Sequence, residues 1–464
     1  MDTDATVGGG ADNTASGSAT FVGGGSGNTA SGQTATVGGG DGNIASGQTA
    51  TVGGGWQNTA MDTAATVGGG YGNIASGPAS IVGGGSSNTA SDSAAFVGGG
   101  YGNIASAQAA TVAGGWANTA SAMYATVGGG GGSIASVIYA TVGGGRENTA
   151  SAMDATVGGG YYNSAGGTDA TVGGGRENIA SDEAATVGGG RTNTAIAEAS
   201  TVGGGAINNA SGPAAAVGGG RENTASGPAA TVGGGSGNIA SGQLATVAGG
   251  RENSAAGSYS FAAGMRAKIA SGASGSFVWS DSNTPETWSW MPNEFVARAT
   301  GGFWFITGID GSGNFTSGMR LPAGSSAWSP MSDRNAKTDF AAIDGKDVLR
   351  RLASIPIATW RYKSQDSSIR HIGPVAQDFH AAFGVGEDDK YISTIDADGI
   401  ALAAIQGLYE RLQEQTAETD KLLQAKQEEI IELKRENQAL RDAVVNINKR
   451  LAVIEIHATT LVRK

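Results

Sequence analysis

The chain has 464 residues, 82 of them glycine, no cysteine and a formal net charge of −12. Without cysteine there are no disulfides or thiolate metal sites. The acidic balance argues against nucleic acid as a partner, since phosphates require basic surface, and no apolar run approaches the ~18 residues of a membrane span. Neither a metal nor a cofactor is expected. The N-terminus, MDTDATVGGG, has no signal-peptide pattern and enters a repeat at once, so no anchoring domain is expected ahead of it.

Glycine at this level without a period would suggest disorder; here it is periodic. A valine precedes a small-residue triplet at Val7, Val22, Val37 and every fifteenth position to Val247, giving seventeen copies without a slip. The consensus is A-T-V-G-G-G-x-x-N-[TI]-A-S-G-x-x. The Ala15-to-Ala255 column is complete, the asparagine column fails only at Ser133, and the threonine column is broken by Phe21, Ile81, Phe96 and Ala216. Fifteen residues are too few for a helical hairpin, and Thr, Val and Gly disfavour helix. The unit fits one coil of a parallel β-solenoid, with a strand at A-T-V, a glycine turn, a second strand at N-[TI]-A-S and another turn. Alternation places Ala and Val on one face and Thr on the other. The glycines supply positive φ or close backbone approach, and stacked asparagines can bond up and down as a ladder. Seventeen coils rising ~4.8 Å each make a rod on the order of 80 Å long over residues 1–256.

An interior of Val and Ala alone buries little apolar area per coil, and each coil touches only its neighbours. Packing several rods side by side removes that weakness, so a homotrimer is expected. The short Gly/Ala/Ser/Asn-rich coils resemble the β-roll heads of trimeric autotransporter adhesins. The two positions after the triplet face outward. In the first of them Trp56, Tyr71, Tyr101 and Trp116 form a vertical ladder that can stack on sugar rings of a cell-surface glycan; the alternative is packing against a neighbouring protomer. Lower down the slot holds Arg146-Glu147, Arg176-Glu177, Arg221-Glu222 and Arg251-Glu252, expected as solvated ion pairs worth little each. The threonine column is a weak version of an ice-binding face.

Residues 257–331 lose the period and gain aromatics, including Phe277, Trp279, Trp288, Trp290, Phe295, Trp304 and Trp328. This reads as a β-rich neck that closes the open end of the solenoid, its tryptophans serving as trimer core.

Residues 332–464 carry the most specific signal. The runs MSDRNAKTDFAAIDGKDVLRRLASIPIATWRYK, RHIGPVAQDFHAAF and IDADGIALAAIQGLYERLQEQ resemble the intramolecular chaperone domain of phage endosialidases and tail fibres. That family, the S74 peptidases, also includes a membrane-bound eukaryotic transcription factor. The resemblance covers roughly residues 331–415 and implies a domain (332–397, then a helical region 398–464) that trimerises, helps the preceding β-structure fold and cuts itself off. It makes Ser332 the nucleophile, Lys337 the base and Met331–Ser332 the scissile bond, with His371 and Asp333 as supporting residues. The residue types fit this: a serine hydroxyl is a weak nucleophile until a base takes its proton, and a desolvated lysine can be that base. The alternative for Ser332 is a helix N-cap.

From Asp398 the chain reads as helix. Heptads place Leu423, Ile430, Asn437, Val444, Leu451 and Ala458 at position a, and Lys426, Leu433, Leu440, Ile447, Ile454 and Leu461 at position d. A four-residue stutter is expected near residue 420. Mixed Ile and Leu suits a three-stranded coiled coil, with Asn437 fixing register. The expectation is a mainly β, homotrimeric shaft at a phage tail or cell surface, released from a single-turnover self-cleaving chaperone. A non-cleaving structural, ice- or glycan-binding rod and a polysaccharide-degrading tailspike are the alternatives.

Overall fold

The computed structural model describes residues 4–461. It separates into two compact units, one ending at Gly301 and one beginning at Gly302.

In the first unit each repeat forms two strands of two residues, such as Thr36–Val37 and Ile44–Ala45. Each strand pairs in parallel with its equivalents fifteen residues away: Thr36 with Thr51 and Val37 with Val52, Ile44 with Thr59 and Ala45 with Ala60. The product is the expected parallel β-solenoid. Val37, Ala45, Ala50 and Asn43 are wholly buried, and so are their equivalents from Val22 onward, whereas Val7 in the first coil is exposed and the alternating Thr36 is half-buried.

The interior asparagines are tied to the coils on both sides, as Asn43 shows. The backbone N–H and Nδ2 of Asn43 donate to Asn28 Oδ1 at 3.0 and 3.1 Å, and Nδ2 also donates to Gly39 O at 2.9 Å and Gly55 O at 2.8 Å. Buried amides are tolerated only when satisfied in this way. The triplet glycines have separate reasons. A Cβ on Gly38 would lie 2.3 Å from Gly53 O, and Gly40 has φ +99°.

The repeat also has a feature that its consensus does not advertise. The residue before each inward-facing Ala-Thr-Val alanine takes the left-handed conformation without being glycine, as in Ala94, Ala109, Tyr124 and Asp154 at φ +54° to +58°. This conformation carries a steric cost for a residue with a Cβ, and the flanking ladders hold it in place.

Parallel pairing does not stop at residue 256, where the neck was expected to begin. Phe261–Met265, Phe277–Ser280 and Phe295–Arg298 extend one sheet, and Ala267–Ile269 and Thr287–Ser289 extend the other. The first sheet thus has 20 strands. The period fades in the sequence because the turns vary in length, while the parallel ladder continues through one register shift between Val247 and Gly249. In these last coils the threonine column becomes Phe261, Phe277 and Phe295, whose rings stack at 5.0 and 4.8 Å. Asp281 anchors the final coil. It accepts from the N–H and hydroxyl of Thr300 at 2.7 Å and from Arg298 Nε at 2.9 Å. These donors, those of Thr300 first, hold its carboxyl well below the usual carboxylate range.

The second unit opens with an antiparallel sheet of Gly302–Ile309, Phe315–Pro322 and Ser329–Pro330. Helix α1 (Gly345–Ser354), the strand pair Ala358–Trp360 and His371–Gly373, helix α2 (Ala376–Phe383) and helix α3 (Thr394–Leu461) follow. Helix α3 begins four residues before the expected Asp398. Ser393 caps it, accepting from Asp396 N at 3.1 Å and donating to Asp396 Oδ2 at 2.7 Å. Its 68 residues run without a break for about 100 Å.

Helix α1 packs on α3 through Val348, Ala403 and Ala404. The backbones touch at Gly345 and Gly407, where a Cβ on Gly407 would fall 2.1 Å from Gly345 O. Lys346 and Glu414 close the contact with an ion pair, which raises the Lys346 pKa above its ordinary value. Beyond Gly407 every described residue of α3 is exposed, including Leu433, Leu440, Val444, Ile447, Leu451 and Ile454. Among the described residues no helix is long and apolar enough to cross a membrane.

Candidate functional site

The antiparallel sheet holds the residues up to the expected scissile bond. Ser329 and Pro330 pair with Arg320 and Met319, and Met331 N donates to Gly318 O at 3.0 Å. Past that hydrogen bond the chain leaves the sheet. Asp333 caps a single 3-10 turn, Arg334–Ala336, by accepting from Asn335 N at 2.9 Å. The turn reverses the backbone and returns Lys337 to Ser332, where Nζ donates to Oγ at 2.6 Å. The five-residue spacing therefore has a local cause, and the capping role belongs to Asp333. Ser332 is left with its hydroxyl on the lysine amine. Asp333 positions the pair through the turn; its hydrogen bonds go to Asn335.

His371 lies on the strand His371–Gly373. Its Nε2 is 2.8 Å from Gln365 Oε1, and its ring packs against Trp360 at 4.9 Å and Tyr362 at 5.6 Å. Among the described residues no hydrogen bond joins it to Ser332 or Lys337. Trp360 Nε1 beside it is buried without an acceptor.

Sequence reasoning did not anticipate the surroundings of Met331. This residue lines a cavity of about 220 Å³ with Trp304, Phe315 and Met319. It also lines a larger one, about 770 Å³, with Phe305, Trp328, Ser393 and Thr394. The residue before the bond thus rests among apolar side chains, and the first turn of α3 shares its surroundings. Ser332, Asp333 and Lys337 themselves are exposed in the single chain. At 2.6 Å a lysine amine, when neutral, is within reach of the serine proton.

In the first unit the ladder Trp56, Tyr71, Tyr101 and Trp116 is at the surface, interrupted by Ser86 and joined by parallel bridges. Trp56 and Tyr71 pack at 4.5 Å with a 39° tilt. The Arg-Glu pairs below are formed within single coils, as in Arg176 Nε to Glu177 Oε1 at 3.0 Å.

Residues 332–385 match the family described as the chaperone of endosialidase, the S74 peptidase family, and the match opens on Ser332. No match was found among the curated proteins. The matched segment and the solenoid of about 20 turns fit a phage tail fibre-type protein.

Proposed function

We propose that this endosialidase-type chaperone segment assembles three copies of the chain into a fibre shaft and then separates itself by cleaving Met331–Ser332. The observation that carries the reading is the 2.6 Å approach of Lys337 Nζ to Ser332 Oγ at the first residue of the family match.

In the proposed step Ser332 Oγ attacks the carbonyl carbon of Met331 while Lys337 removes the hydroxyl proton. The C–N bond breaks as the Ser332 nitrogen takes that proton, leaving an ester between Met331 and the Ser332 side chain. Water then hydrolyses the ester, giving a Met331 carboxylate and a free Ser332 hydroxyl and amine. A lysine serves as base only when neutral, a form that burial favours. Association of chains over the exposed segment 332–337 would provide that burial and couple cleavage to assembly.

The long helix supports the assembly role. Beyond Gly407 its apolar residues are exposed among the described residues, and helices of this type bury such a seam against each other. Bringing three chains together first bypasses slow non-local β-pairing. Loss of the chaperone would then leave a shaft whose persistence is set by its unfolding rate. Residues 1–331 would be the working protein, at a phage tail or a cell surface.

Intact mass of freshly expressed wild type beside Ser332→Ala and Lys337→Ala tests the cleavage. The expected wild-type product ends at Met331 and is missing from both variants. An uncleaved wild type, or cleavage in Ser332→Ala, would remove the peptidase reading and leave a permanently attached assembly domain.

A further inference from the structure

We infer that the first outward column of the solenoid is a binding track for an uncharged polysaccharide, with Trp56, Tyr71, Tyr101 and Trp116 as its platforms. The inference stands apart from the cleavage proposed above. The competing role for these rings is burial between protomers, and the geometry of the column decides against it.

The column is one continuous line. Parallel bridges join its members coil by coil from Ala11 through Trp56, Tyr71, Ser86, Tyr101, Trp116 and Gly131 to Arg251. In a solenoid of constant register these positions share a single edge of the rod. Lower on that edge stand Arg146, Arg176, Arg221 and Arg251, with side chains 58–68% exposed, and above the aromatics stands Asp41. All the other charges of residues 12–256 also fall on the two variable turns of the coil, at Asp62, Asp154 and Glu198 for example, and none on the flat Thr-Val or Asn-[Thr/Ile]-Ala sides. Straight rods packing side by side would bury the uncharged sides and leave the charged edges in water. An edge that carries solvated Arg-Glu pairs below carries solvated tryptophan above.

The local chemistry selects the ligand class. Between Asp41 and Arg146 the two variable positions of this edge hold no charge; the residues beside the rings are Gln57, Gly72, Gly102 and Ala117, with Ser86 and Ser87 in the coil between. Small neighbours leave Tyr101 and Trp116 more than half exposed. The most exposed ring is Trp116, at 59%, and Gly131 in the coil below would bring even a Cβ only to 3.7 Å from its edge. Exposed aromatic faces flanked by amides and hydroxyls suit the apolar faces and hydroxyl rims of pyranose rings. An anionic polymer would find no free cation here. A coil rises ~4.8 Å, comparable with one sugar unit, so a linear chain laid along the rod would meet Trp56/Tyr71 and then Tyr101/Trp116 ~14 Å further on.

The test is affinity electrophoresis of the full-length chain through gels containing dextran, β-glucan, mannan or galactan, with alginate and polygalacturonate as acidic counterparts. At least one neutral polymer should retard the wild type. Trp116→Ala and Tyr101→Ala should each weaken that retardation about tenfold or more, as removal of an aromatic anchor does, while Arg176→Ala leaves it unchanged. Retardation by no polymer, or only by acidic ones, would overturn the proposal. So would neutral binding that survives Trp116→Ala and Tyr101→Ala. Light-scattering masses of the same proteins supply the last arm: a lowered assembly mass in Trp116→Ala would place the rings in a protomer interface instead.

Discussion

The two units solve the burial problem in opposite ways. In the solenoid every coil closes its own interior: Val and two Ala stack inward, and each asparagine bonds to the coils above and below. In the C-terminal unit the buried cluster is small, Val348, Ala403 and Ala404, while the apolar residues of the last fifty of α3 are in water. The first region buries its apolar residues within the chain, coil upon coil. The second leaves the apolar residues of α3 beyond Gly407 exposed among the described residues. The proposed fibre, folding on a detachable assembly segment, would need that division.

The comparison breaks most visibly in the helix. Replacing Leu433, Leu440 and Ile447 together by Asp should abolish assembly and leave little soluble shaft, read by light-scattering mass and soluble yield. A normal shaft from that variant would show that the solenoid needs no helper. Next in size is a cut in the solenoid's own cross-link. Asn178→Ala removes an amide that accepts from Asn193 N and donates to Gly174 O and Gly190 O, and should cost about 2–4 kcal/mol in thermal or denaturant unfolding of the shaft.

The terminal coil should respond to acid. The Asp281 carboxyl sits below its ordinary value of about 3.9, so its contribution is full above pH ~4 and is lost as pH falls through the native value. The melting temperature of the first unit should therefore drop below pH 4, and Asp281→Asn should flatten that drop while lowering stability at neutral pH.

Smaller effects should have the opposite sign. Ser133 interrupts the ladder: Asn148 N reaches its hydroxyl at only 3.3 Å, and no amide remains there to bond Gly129 and Gly145. Ser133→Asn should restore the bonds and stabilise the shaft by about 1 kcal/mol. Ala109→Gly, at φ +54°, relieves left-handed strain but frees the unfolded chain, for a net gain of about 0.5 kcal/mol.

The solenoid was legible because its period, its inward valines and its asparagines are each direct consequences of stacking. The left-handed corners were not, since Ala, Thr, Tyr and Asp fill them and no glycine marks the turn. The end of the solenoid was also obscured: the coils after Gly257 keep their ladder while the turns change length, so a reading by period stops forty residues early. At the site, the resemblance of residues 331–415 to the S74 family singled out Ser332 and Lys337, and the Asp333 turn accounts for their approach across five residues. The apolar surroundings of Met331 join side chains up to ninety residues apart, which no local pattern announces. The heptads of α3 are readable in the sequence, and the described residues that carry them are exposed beyond Gly407.

The most direct measurement is the molar mass of uncleaved Ser332→Ala by light scattering with size exclusion. The account requires about three times the 45.6 kDa of one chain. A mass of one chain, with the solenoid folded, would contradict it, because the exposed seam of α3 would then have assembled nothing.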